Sequence, residues 1–422
     1  MPKSETVNNL FLGNEVVTFG CRLNTYESEI IKKNLAEADC HDVVVFNTCA
    51  VTSEAEKEAR KAIRRLKKEA PHKKIIVTGC AAQSDPAMFA KMAEVDKVIG
   101  NEEKLYSFNY HLGDSKVAVN DIMSVKETAN HLISSFEGRA RAFIQVQNGC
   151  NHRCTFCRIP FGRGNSRSVP IGAITEQVRL LVQQGFKEVV LTGVDVTAYG
   201  ADLPGSPTFA QMIKRLLALV PELPRLRLSS IDVAEIDNDL FELMAYDKKI
   251  MPHFHISLQA GDDMILKRMK RRHNRQQIIE FCHKLRLLRP EVSYGADIIA
   301  GFPTESDEMF ENTRKLIVEA DLQYLHVFPY SEREDTPAAR MPQVDKSIRK
   351  KRASILRNEG WQQLRKFYER NIGRKVELLV EKNNIAHTDN FIPVKLEGNF
   401  QSGQLVIAEL QAVDGEYMVA GL

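Results

Sequence analysis

The feature that most constrains the fold is a strand-then-helix unit that recurs through the middle of the chain. Strand-like runs occupy residues 142–147, 188–196, 225–231, 253–259, 293–302 and 324–331. Amphipathic helical patterns lie between them, as in residues 174–185 and 209–220. Six consecutive units of this kind predict parallel strands that curve into a partial, six-stranded TIM-like barrel. Functional residues are then expected at the carboxyl ends of the strands.

Three cysteines follow the first strand of the predicted barrel. Cys150, Cys154 and Cys157 have the spacing C-x3-C-x2-C, and no fourth ligand lies at local spacing. A structural zinc site takes four thiolate or imidazole ligands, and ferredoxin-type clusters take four cysteines at other spacings. Three thiolates in one loop therefore predict a 4Fe-4S cluster with one iron left open for a substrate or cofactor. A zinc loop and cysteines without a shared ligand are the alternatives.

The residues around these cysteines, IQVQNGCNHRCTFCRIPFGRGNSRS at positions 144–168, resemble the cluster loop of the radical S-adenosylmethionine (SAM) superfamily. That resemblance implies that the amino and carboxylate groups of SAM chelate the open iron. It also implies that the reduced cluster cleaves SAM to a 5'-deoxyadenosyl radical, while the protein orients and shields the reactants. In the same loop, Arg163 and Arg167 are expected either to fork onto a carboxylate or phosphate group or to pair elsewhere on the surface.

Other barrel strands resemble SAM-binding positions of that superfamily. Residues 192–195, TGVD, resemble the motif near the methionine amino group, with Asp where Glu is more usual, and residues 297–305, DIIAGFPTE, resemble the adenine-binding strand end. The resemblance implies SAM contacts at residues on or near strand ends, namely Thr192, Gly193, Asp195, Ser230, Gln259, Asp297 and Gly301. The alternative is that Gly and Asp stand at these ends simply to turn the chain.

The region before the barrel also alternates strands and helices. Residues 15–20, 42–47, 74–79 and 97–100 are strand-like, which predicts a parallel sheet of flavodoxin-like type.

Three more cysteines, Cys21, Cys49 and Cys80, each follow one of the first three of these strands. Because the carboxyl ends of parallel strands lie along one edge, the thiols are expected to converge and to hold a second iron-sulfur cluster with an open iron. Ordinary core cysteines are the alternative. The remaining two cysteines follow no such pattern, and Cys282, within an apolar helical run, is expected to be a core thiol.

The end of the chain contains five short alternating runs, at residues 374–382, 385–389, 391–396, 404–410 and 416–421. Five strands in about 50 residues predict a small all-β barrel, an architecture that often binds RNA. A purely structural cap is the alternative. A basic helix with the single tryptophan, Trp361, is expected at residues 346–371.

Composition is typical of a soluble globular protein, and a cytoplasmic location is expected. No apolar run approaches the ~18 residues that span a bilayer, so no membrane partner is predicted, and residues 1–20 lack a signal-peptide pattern. In a reducing compartment the eight cysteines are expected to be metal ligands or free thiols. The net charge is only +3, but Lys and Arg cluster at residues 57–68, 266–275 and 346–357. Such clusters suit either a phosphate backbone or solvated helix faces.

These patterns together divide the chain into four predicted parts. Residues 1–100 form a three-cysteine domain, residues 101–137 a linker, residues 138–370 a radical SAM domain and residues 371–422 a small all-β barrel.

This arrangement resembles the methylthiotransferase family, whose small RNA-binding barrel is of the TRAM type. Four segments are most similar to the branch that acts on N6-threonylcarbamoyladenosine: TFGCRLNTYESE (18–29), NTCAVTSEAEKEAR (47–60), VTGCAAQ (77–83) and LHVFPYSEREDTPAA (325–339). The resemblance implies that this base, in the anticodon loop of tRNA, becomes its 2-methylthio derivative. Arg158 and Ala260 depart from the family pattern without changing the implied reaction.

The family resemblance also implies a division of labour between two 4Fe-4S clusters. The cluster of the C-x3-C-x2-C loop generates the radical that removes the hydrogen of adenine carbon 2. The cluster of the first domain delivers a sulfur species that a second SAM methylates, and an electron donor such as flavodoxin or ferredoxin is required. The alternatives are a methylthiotransferase for isopentenyladenosine in tRNA or for a ribosomal-protein aspartate. A non-enzymatic iron-sulfur protein that binds RNA or senses redox state is the alternative of another class.

Overall fold

The computed structural model describes residues 13–113, 115–127, 133 and 139–421. The chain forms two compact units. The first unit contains the described residues up to 127 together with Arg158–Gly164, and the second unit contains the other described residues. The domain boundaries at residues 100, 137 and 370 stay a prediction, and residues 1–12, 114, 128–132, 134–138 and 422, which include part of the predicted linker, lie outside the described residues.

The first unit is built on a parallel sheet with its strands in sequence order. The strands are β1 Glu15–Thr18, β2 Val43–Thr48, β3 Lys74–Gly79, β4 Lys97–Ile99 and β5 Val117–Ala118. The helices of this unit are α1 Arg22–Glu37, α2 Ser53–Glu69, α3 Cys80–Ser84, α4 Pro86–Ala90 and α5 Ile159–Arg163. The parallel α/β fold predicted for this region is therefore confirmed, and β5 comes from residues that were predicted to be linker.

Apolar side chains cover both faces of this sheet. On one face Val45 of β2 packs in a cluster with Ile31 of α1. On the other face Val44 and Phe46 pack with Ile63 of α2. Because successive side chains of a strand point to opposite faces, the continuous apolar run of β2 supplies two cores.

The second unit contains the predicted barrel. Its strands are β6 Arg141–Gln145, β7 Gln147–Asn148, β8 Arg167–Ser168, β9 Glu188–Thr192, β10 Arg225–Leu228, β11 His253–Gln259, β12 Ser293–Ala300 and β13 Tyr324–Pro329. Two parallel sheets, β6-β9-β10 and β11-β12-β13, are joined by a bridge between Ile231 and Ile256. The partial, six-stranded parallel barrel is thus confirmed, while β7 and β8 form a separate antiparallel pair.

Helices alternate with the barrel strands as predicted. They are α6 Ile171–Gln183, α7 Phe209–Leu219, α8 Asn238–Tyr246, α9 Asp263–Met269, α10 Arg275–Leu288, α11 Asp307–Glu319 and α12 Lys346–Glu369. Short 3-10 helices occupy Glu103–Leu105, Ser107–Tyr110, Ile122–Ser124, Val196–Ala198, Val233–Glu235, Pro337–Arg340 and Lys382–Asn384. Capping boxes lie at the start of α7, with Thr208 as the N-cap residue, and of α10, with Asn274 as the N-cap residue. In each box the N-cap side chain accepts from the backbone N–H three residues later, and the glutamine at that position accepts from the N-cap N–H. Cys282 of α10 is fully buried, as expected of a core thiol.

A buried charge cluster closes the amino ends of three barrel strands. Glu188 begins β9 and lies in register with Arg141 of β6 and Arg225 of β10. Its carboxylate accepts from Arg227 Nε at 2.7 Å and pairs with Arg225 Nε at 3.0 Å, and both arginines are almost fully buried. Arg225 and Arg227 therefore pair with one buried carboxylate at this end of the barrel, while Arg141, 3.9 Å from Glu188, also pairs with Glu381.

The all-β tail is a closed barrel, as predicted. Its strands are β14 Lys375–Val380, β15 Ile385–His387, β16 Pro393–Lys395, β17 Leu405–Asp414 and β18 Tyr417–Gly421. Phe391, between β15 and β16, stacks on His253 with ring centroids 4.7 Å apart and lies under the guanidinium groups of Arg141 and Arg227. These contacts attach the tail to the amino ends of the barrel strands within the second unit.

The helices of the described part of the chain include none that is both long enough and apolar enough to cross a membrane.

Candidate metal centres

The C-x3-C-x2-C loop leaves the barrel directly after β6 and β7. Backbone contacts fix its middle residue, Thr155, whose N–H donates to Met269 O at 3.2 Å and whose hydroxyl donates to Arg268 O at 2.9 Å. Thr155 O in turn accepts from Ala338 N at 2.9 Å. The loop that carries the cysteines is therefore held in place by the chain on two sides.

The sulfur atoms of this loop lie in a polar, partly buried environment. Cys150 Sγ lies 3.7 Å from Asp195 Oδ2 and accepts from His152 N at 3.3 Å. Burial, the Asp195 charge and the two neighbouring thiols, Cys154 and Cys157, raise the pKa of Cys150 to about 12. A bound metal ion offsets the free-energy cost of deprotonating Cys150, because the ion binds the thiolate form.

A histidine and two carboxylates adjoin this loop. His152 Nε2 lies 3.2 Å from both Asp195 Oδ2 and Glu235 Oε1. Hydrogen bonds to the two carboxylates raise the pKa of His152 to about 9, so this imidazole is held protonated at neutral pH. Of these residues, sequence reasoning found only Asp195. The position of His152 between Cys150 and Cys154 in the sequence could have indicated its role. Glu235 lies on a short 3-10 helix that matches no sequence motif.

The basic run at residues 266–275 is used inside the second unit. Arg271 Nη2 pairs with Asp232 at 3.0 Å and donates to Ser257 O at 2.8 Å, and its Nη1 lies 3.8 Å from Cys154 Sγ. Arg272 pairs with the same Asp232 at 3.1 Å. Two arginines of the run thus pair with an internal carboxylate beside the cysteine loop, and the interpretation of the run as a phosphate-binding cluster stays a prediction.

Two of the predicted SAM contacts, Thr192 and Gly193, lie at the carboxyl end of β9 beside the loop. Thr192 O accepts from Val146 N at 2.9 Å. A Cβ atom on Gly193 would stand 2.7 Å from Gln147 O, so this position admits only glycine without a shift of the backbone. Asp195 N donates to Gln147 Oε1 at 2.8 Å, which orients the carboxylate that lies near Cys150.

Asp297 lies in the middle of β12 rather than at its end. Its Oδ1 atom lies 3.1 Å from His255 Nε2 and 3.2 Å from His326 Nδ1. The two imidazoles hold the pKa of Asp297 well below its usual range. A cluster of two histidines and one aspartate thus occupies neighbouring positions on β11, β12 and β13, and sequence reasoning did not find the two histidines.

The other predicted SAM contacts, Gln259, Ser230 and Gly301, lie at or just after the carboxyl ends of three different strands. Gln259 ends β11 at a register irregularity with φ of 71°. Ser230 follows β10, and its contribution to SAM binding stays a prediction. Gly301 has φ of +71°, and a Cβ there would stand 2.6 Å from Arg349 Cγ. The left-handed backbone and the packing of Arg349 therefore already require glycine at this position.

The first unit brings its three predicted cysteines to one edge of the sheet. Cys21 caps α1 after β1, Cys49 follows β2, and Cys80 begins α3 directly after β3. The register pairs Thr18 with Asn47 and Thr48 with Gly79, which places all three strand ends together.

Close packing and electrostatics show that the three thiols of the first unit are neighbours. A Cβ on Gly20 would stand 2.7 Å from Cys49 Cβ. Burial and the nearby thiols Cys80 and Cys21 raise the pKa of Cys49 to about 12. As in the barrel loop, ionising these thiols costs free energy when no cation is beside them, so the set fits a metal-binding site.

The spacing of ligand atoms in the two cysteine sets can be compared with that of a site for a single metal ion. Sulfur ligands of one tetrahedral zinc lie about 3.8 Å apart, given Zn–S bonds of about 2.3 Å. Among the described residues, the only His, Cys, Asp or Glu groups with at least three ligand atoms within 4.8 Å of one another are His255–Asp297–His326 and His152–Asp195–Glu235. Neither cysteine set is that compact. A 4Fe-4S cluster at each set stays a prediction.

The contacts of Arg163, at the end of α5, distinguish between the alternatives left open by the sequence, which were a fork onto a carboxylate or phosphate group and a partner elsewhere on the surface. Its two terminal nitrogens fork onto both oxygens of the Glu27 carboxylate, at 2.8 and 3.0 Å. Arg167 is almost fully buried and donates to Asn165 O at 3.0 Å. The carboxylate alternative is therefore confirmed for Arg163.

Two family models match the chain. Residues 144–317 match the family described as "Radical SAM superfamily", and residues 14–100 match "Uncharacterized protein family UPF0004".

Named relatives extend over nearly the whole chain. "Threonylcarbamoyladenosine tRNA methylthiotransferase MtaB" of Rickettsia prowazekii is 70% identical over 96% of this chain and 97% of its own length. The protein of the same name from Aquifex aeolicus is 39% identical over 92% of this chain and 98% of its own length. "tRNA-2-methylthio-N(6)-dimethylallyladenosine synthase" of Clostridium botulinum is 32% identical over 93% of this chain and 90% of its own length.

Among solved structures, the chain is similar in fold to the radical S-adenosylmethionine methyltransferase TsrM from Kitasatospora setae. The TM-score is 0.56 at 13% identity, over 77% of this chain and 74% of that chain.

Proposed function

The chain belongs to the family of the threonylcarbamoyladenosine tRNA methylthiotransferases, and from that membership we propose that it converts N6-threonylcarbamoyladenosine beside the tRNA anticodon to its 2-methylthio derivative. The observation that carries the proposal is the 70% identity, over nearly both full lengths, to the Rickettsia relative of that name. The Clostridium relative that names dimethylallyladenosine is 32% identical, which makes that base the second candidate.

Cys150, Cys154 and Cys157 would hold the first 4Fe-4S cluster. When bound there with SAM, such a cluster supplies the 5'-deoxyadenosyl radical that the unreactive carbon 2 of adenine requires. Asp195 and Glu235 place carboxylates beside this loop and suit the positively charged groups of SAM.

The protonated His152 offers its Nε2 proton to those same two carboxylates. Arg272 Nη2 lies 2.8 Å from Glu235, so its charge also offsets the negative charge of this pair. Before SAM arrives, the carboxylates are thus neutralised and oriented by residues of the chain itself. We expect the amino group of SAM to compete with His152 for Asp195.

Cys21, Cys49 and Cys80 would hold the second 4Fe-4S cluster. When bound there, that cluster supplies the sulfur that becomes the methylthio group. The role of the first unit is to bring three thiols from three strand ends to one place and to keep an open position beside them.

RNA binding is assigned to the tail barrel and to α12. Trp361 of α12 is 42% exposed, and Arg365, one turn later, has a side chain that is 73% exposed. Arg365 Nε pairs with Glu369 at 3.1 Å, but both side chains are more than half exposed to solvent. An exposed aromatic ring beside such a solvent-exposed cation suits an unpaired base and a phosphate of the anticodon loop. The proposal also includes a cytoplasmic location and an electron donor such as flavodoxin or ferredoxin.

The proposed function is tested by mass spectrometry of nucleosides from bulk tRNA of cells with and without this gene. We expect selective loss of 2-methylthio-N6-threonylcarbamoyladenosine, with N6-threonylcarbamoyladenosine accumulating in its place. A plasmid copy of the gene should restore the product, which controls for effects of the deletion on neighbouring genes.

Other outcomes would redirect the proposal. If this nucleoside persists while 2-methylthio-isopentenyladenosine disappears, the reaction class stands and the substrate is the second candidate. If no methylthio nucleoside changes, a ribosomal-protein aspartate or a redox-sensing role replaces tRNA modification.

A further inference from the structure

A buried charged cluster underlies the second cysteine set within the first unit. Arg163, Glu27 and Lys104 have relative exposures of 3%, 2% and 0%. Charged side chains are almost never this deeply buried unless they are paired, because the loss of hydration costs several kcal/mol per ion. The position of this cluster beside the cysteines therefore requires an explanation.

Two cations of this cluster share one carboxylate. Arg163 forks onto both oxygens of Glu27, and Lys104 Nζ lies 2.7 Å from Glu27 Oε2. These interactions hold the pKa of Glu27 at about 2, so the carboxylate is ionised. Burial lowers the pKa of Lys104, and the charges of Glu27 and Cys80 oppose that shift.

The positive charges of the cluster act on the thiols. The negative charges of Cys80, Glu27 and Cys21 raise the pKa of Arg163 well above its usual range. Arg163 also favours the charged form of Cys49. An anion at the three thiols would thus be attracted by a guanidinium group that is already oriented by its own carboxylate.

A hydrogen-bonding chain leads from Lys104 to Cys80. Lys104 Nζ donates to Asn101 Oδ1 at 2.7 Å, and Asn101 Nδ2 lies 3.7 Å from Cys80 Sγ. Asn101 Nδ2 also donates to Gly162 O. Gly162 packs so closely on Cys80 that a Cβ there would stand 3.1 Å from Cys80 Cβ. Lys104 therefore orients the amide that approaches the Cys80 sulfur.

We propose that Arg163 and Lys104 are positioning residues for the second iron-sulfur cluster, which they hold and make easier to reduce. The inference rests on the proposed function, because it requires a cluster at Cys21, Cys49 and Cys80. A 4Fe-4S cluster with three thiolate ligands carries a net negative charge, and reduction adds another. Nearby cations and hydrogen bonds to a ligand sulfur stabilise the reduced form more than the oxidised form.

The charge removed in each variant predicts the direction in which the midpoint potential shifts. Arg163→Met and Lys104→Met each remove a positive charge, so the midpoint potential of the second cluster should shift to more negative values. Glu27→Gln removes a negative charge, so the potential should shift to more positive values. Arg163→Lys keeps the charge but loses the fork onto Glu27, and its shift should be smaller than that of Arg163→Met.

The experiment uses the full-length chain with Cys150, Cys154 and Cys157 replaced by alanine, so that only the second cluster forms. After anaerobic reconstitution, iron and sulfide are counted, and the potential is measured by a redox titration followed by electron paramagnetic resonance. We expect about four irons per chain in this parent protein. The two methionine variants should also lose iron faster to a chelator than the parent does.

Lys73→Met is the matched control. Lys73 is 1% exposed and pairs with Asp42 at 2.9 Å, but it immediately precedes β3 and so lies at the strand end opposite the cysteines. Its replacement removes a buried cation of the same unit without approaching the thiols. The potential of the second cluster should therefore equal that of the parent protein.

The outcomes separate this inference from the proposed function. If the parent takes up no iron, the second cluster is absent and both fail. If the parent holds about four irons but the charge variants leave the potential unchanged, or shift it no more than Lys73→Met does, only the inference is overturned. Because Arg163→Lys keeps the buried positive charge opposite Glu27, that variant remains informative if a methionine variant fails to fold.

Discussion

Replacing Cys49 by alanine is expected to abolish methylthio transfer to tRNA while leaving the reductive cleavage of SAM intact. Cys49 lies on the first unit, among thiols that come from three strand ends, whereas the SAM-cleaving cluster is assigned to the barrel loop. Iron should fall from about eight to about four per chain. The measurements are iron content, 5'-deoxyadenosine formation under reduction, and methylthio nucleoside in a tRNA substrate.

Cys40→Ala is the control for this experiment. Cys40 is another partly buried thiol of the first unit, but it lies before β2, at the opposite end of the strand from Cys49. Its replacement should change neither iron content nor product. A Cys49→Ala protein that still thiolates tRNA, or that loses SAM cleavage instead, would refute the division of labour between the two cysteine sets.

Replacing Glu188 by glutamine is expected to have the largest effect on folding stability. The carboxylate is 1% exposed and pairs with Arg227 at 2.7 Å and Arg225 at 3.0 Å. Removal of one partner of a buried ion pair leaves uncompensated charge and typically costs ~3–5 kcal/mol. The free energy of unfolding of the second unit, measured by denaturant titration followed by circular dichroism, should fall by about that amount.

Glu377→Gln is the matched control, because Glu377 is a second carboxylate near Arg225. The Glu377 carboxylate is half-exposed and lies 3.9 Å from Arg225. Exposed ion pairs contribute at most about 1 kcal/mol, so this variant should be nearly as stable as the wild type. Equal losses in the two variants would contradict the assignment of Glu188 as the anchor of Arg225 and Arg227.

The same carboxylate predicts how stability depends on pH. The arginines lower the pKa of Glu188 to about 2, compared with roughly 4.3 for an unfolded glutamate. A lowered folded-state pKa adds stability that is fully present above the unfolded value and is lost as pH falls through the folded value. The wild type should therefore lose stability between about pH 5 and pH 2, and Glu188→Gln should lose less over that range.

The order of elements and the positions of six cysteines at strand ends or in the barrel loop followed from the sequence. Strands recur at regular intervals with helices between them, and parallel strands must place their carboxyl ends on one side. Cys21, Cys49 and Cys80 could therefore be grouped although 28 and 31 residues separate neighbours in the chain. In the barrel loop, the C-x3-C-x2-C spacing was sufficient by itself to group Cys150, Cys154 and Cys157.

The partners of charged side chains did not follow from the sequence. Arg163 pairs with Glu27, which is 136 residues away, and Arg271 pairs with Asp232. A run of lysine and arginine predicts positive charge but not which carboxylate packing will bring beside it. For that reason the run at 266–275 suited either a phosphate backbone or a solvated helix face, whereas the structure pairs two of its arginines with Asp232.

The sequence by itself determined which elements form and where the thiols stand, because backbone periodicity and strand direction are local properties that repeat. Only the tertiary structure decided the environment of those thiols: His152 between Asp195 and Glu235 at one set, and Arg163 with Lys104 at the other. Charge, burial and hydrogen bonding depend on side chains from distant parts of the chain. They are settled only when long-range packing removes water and places each ion beside its partner.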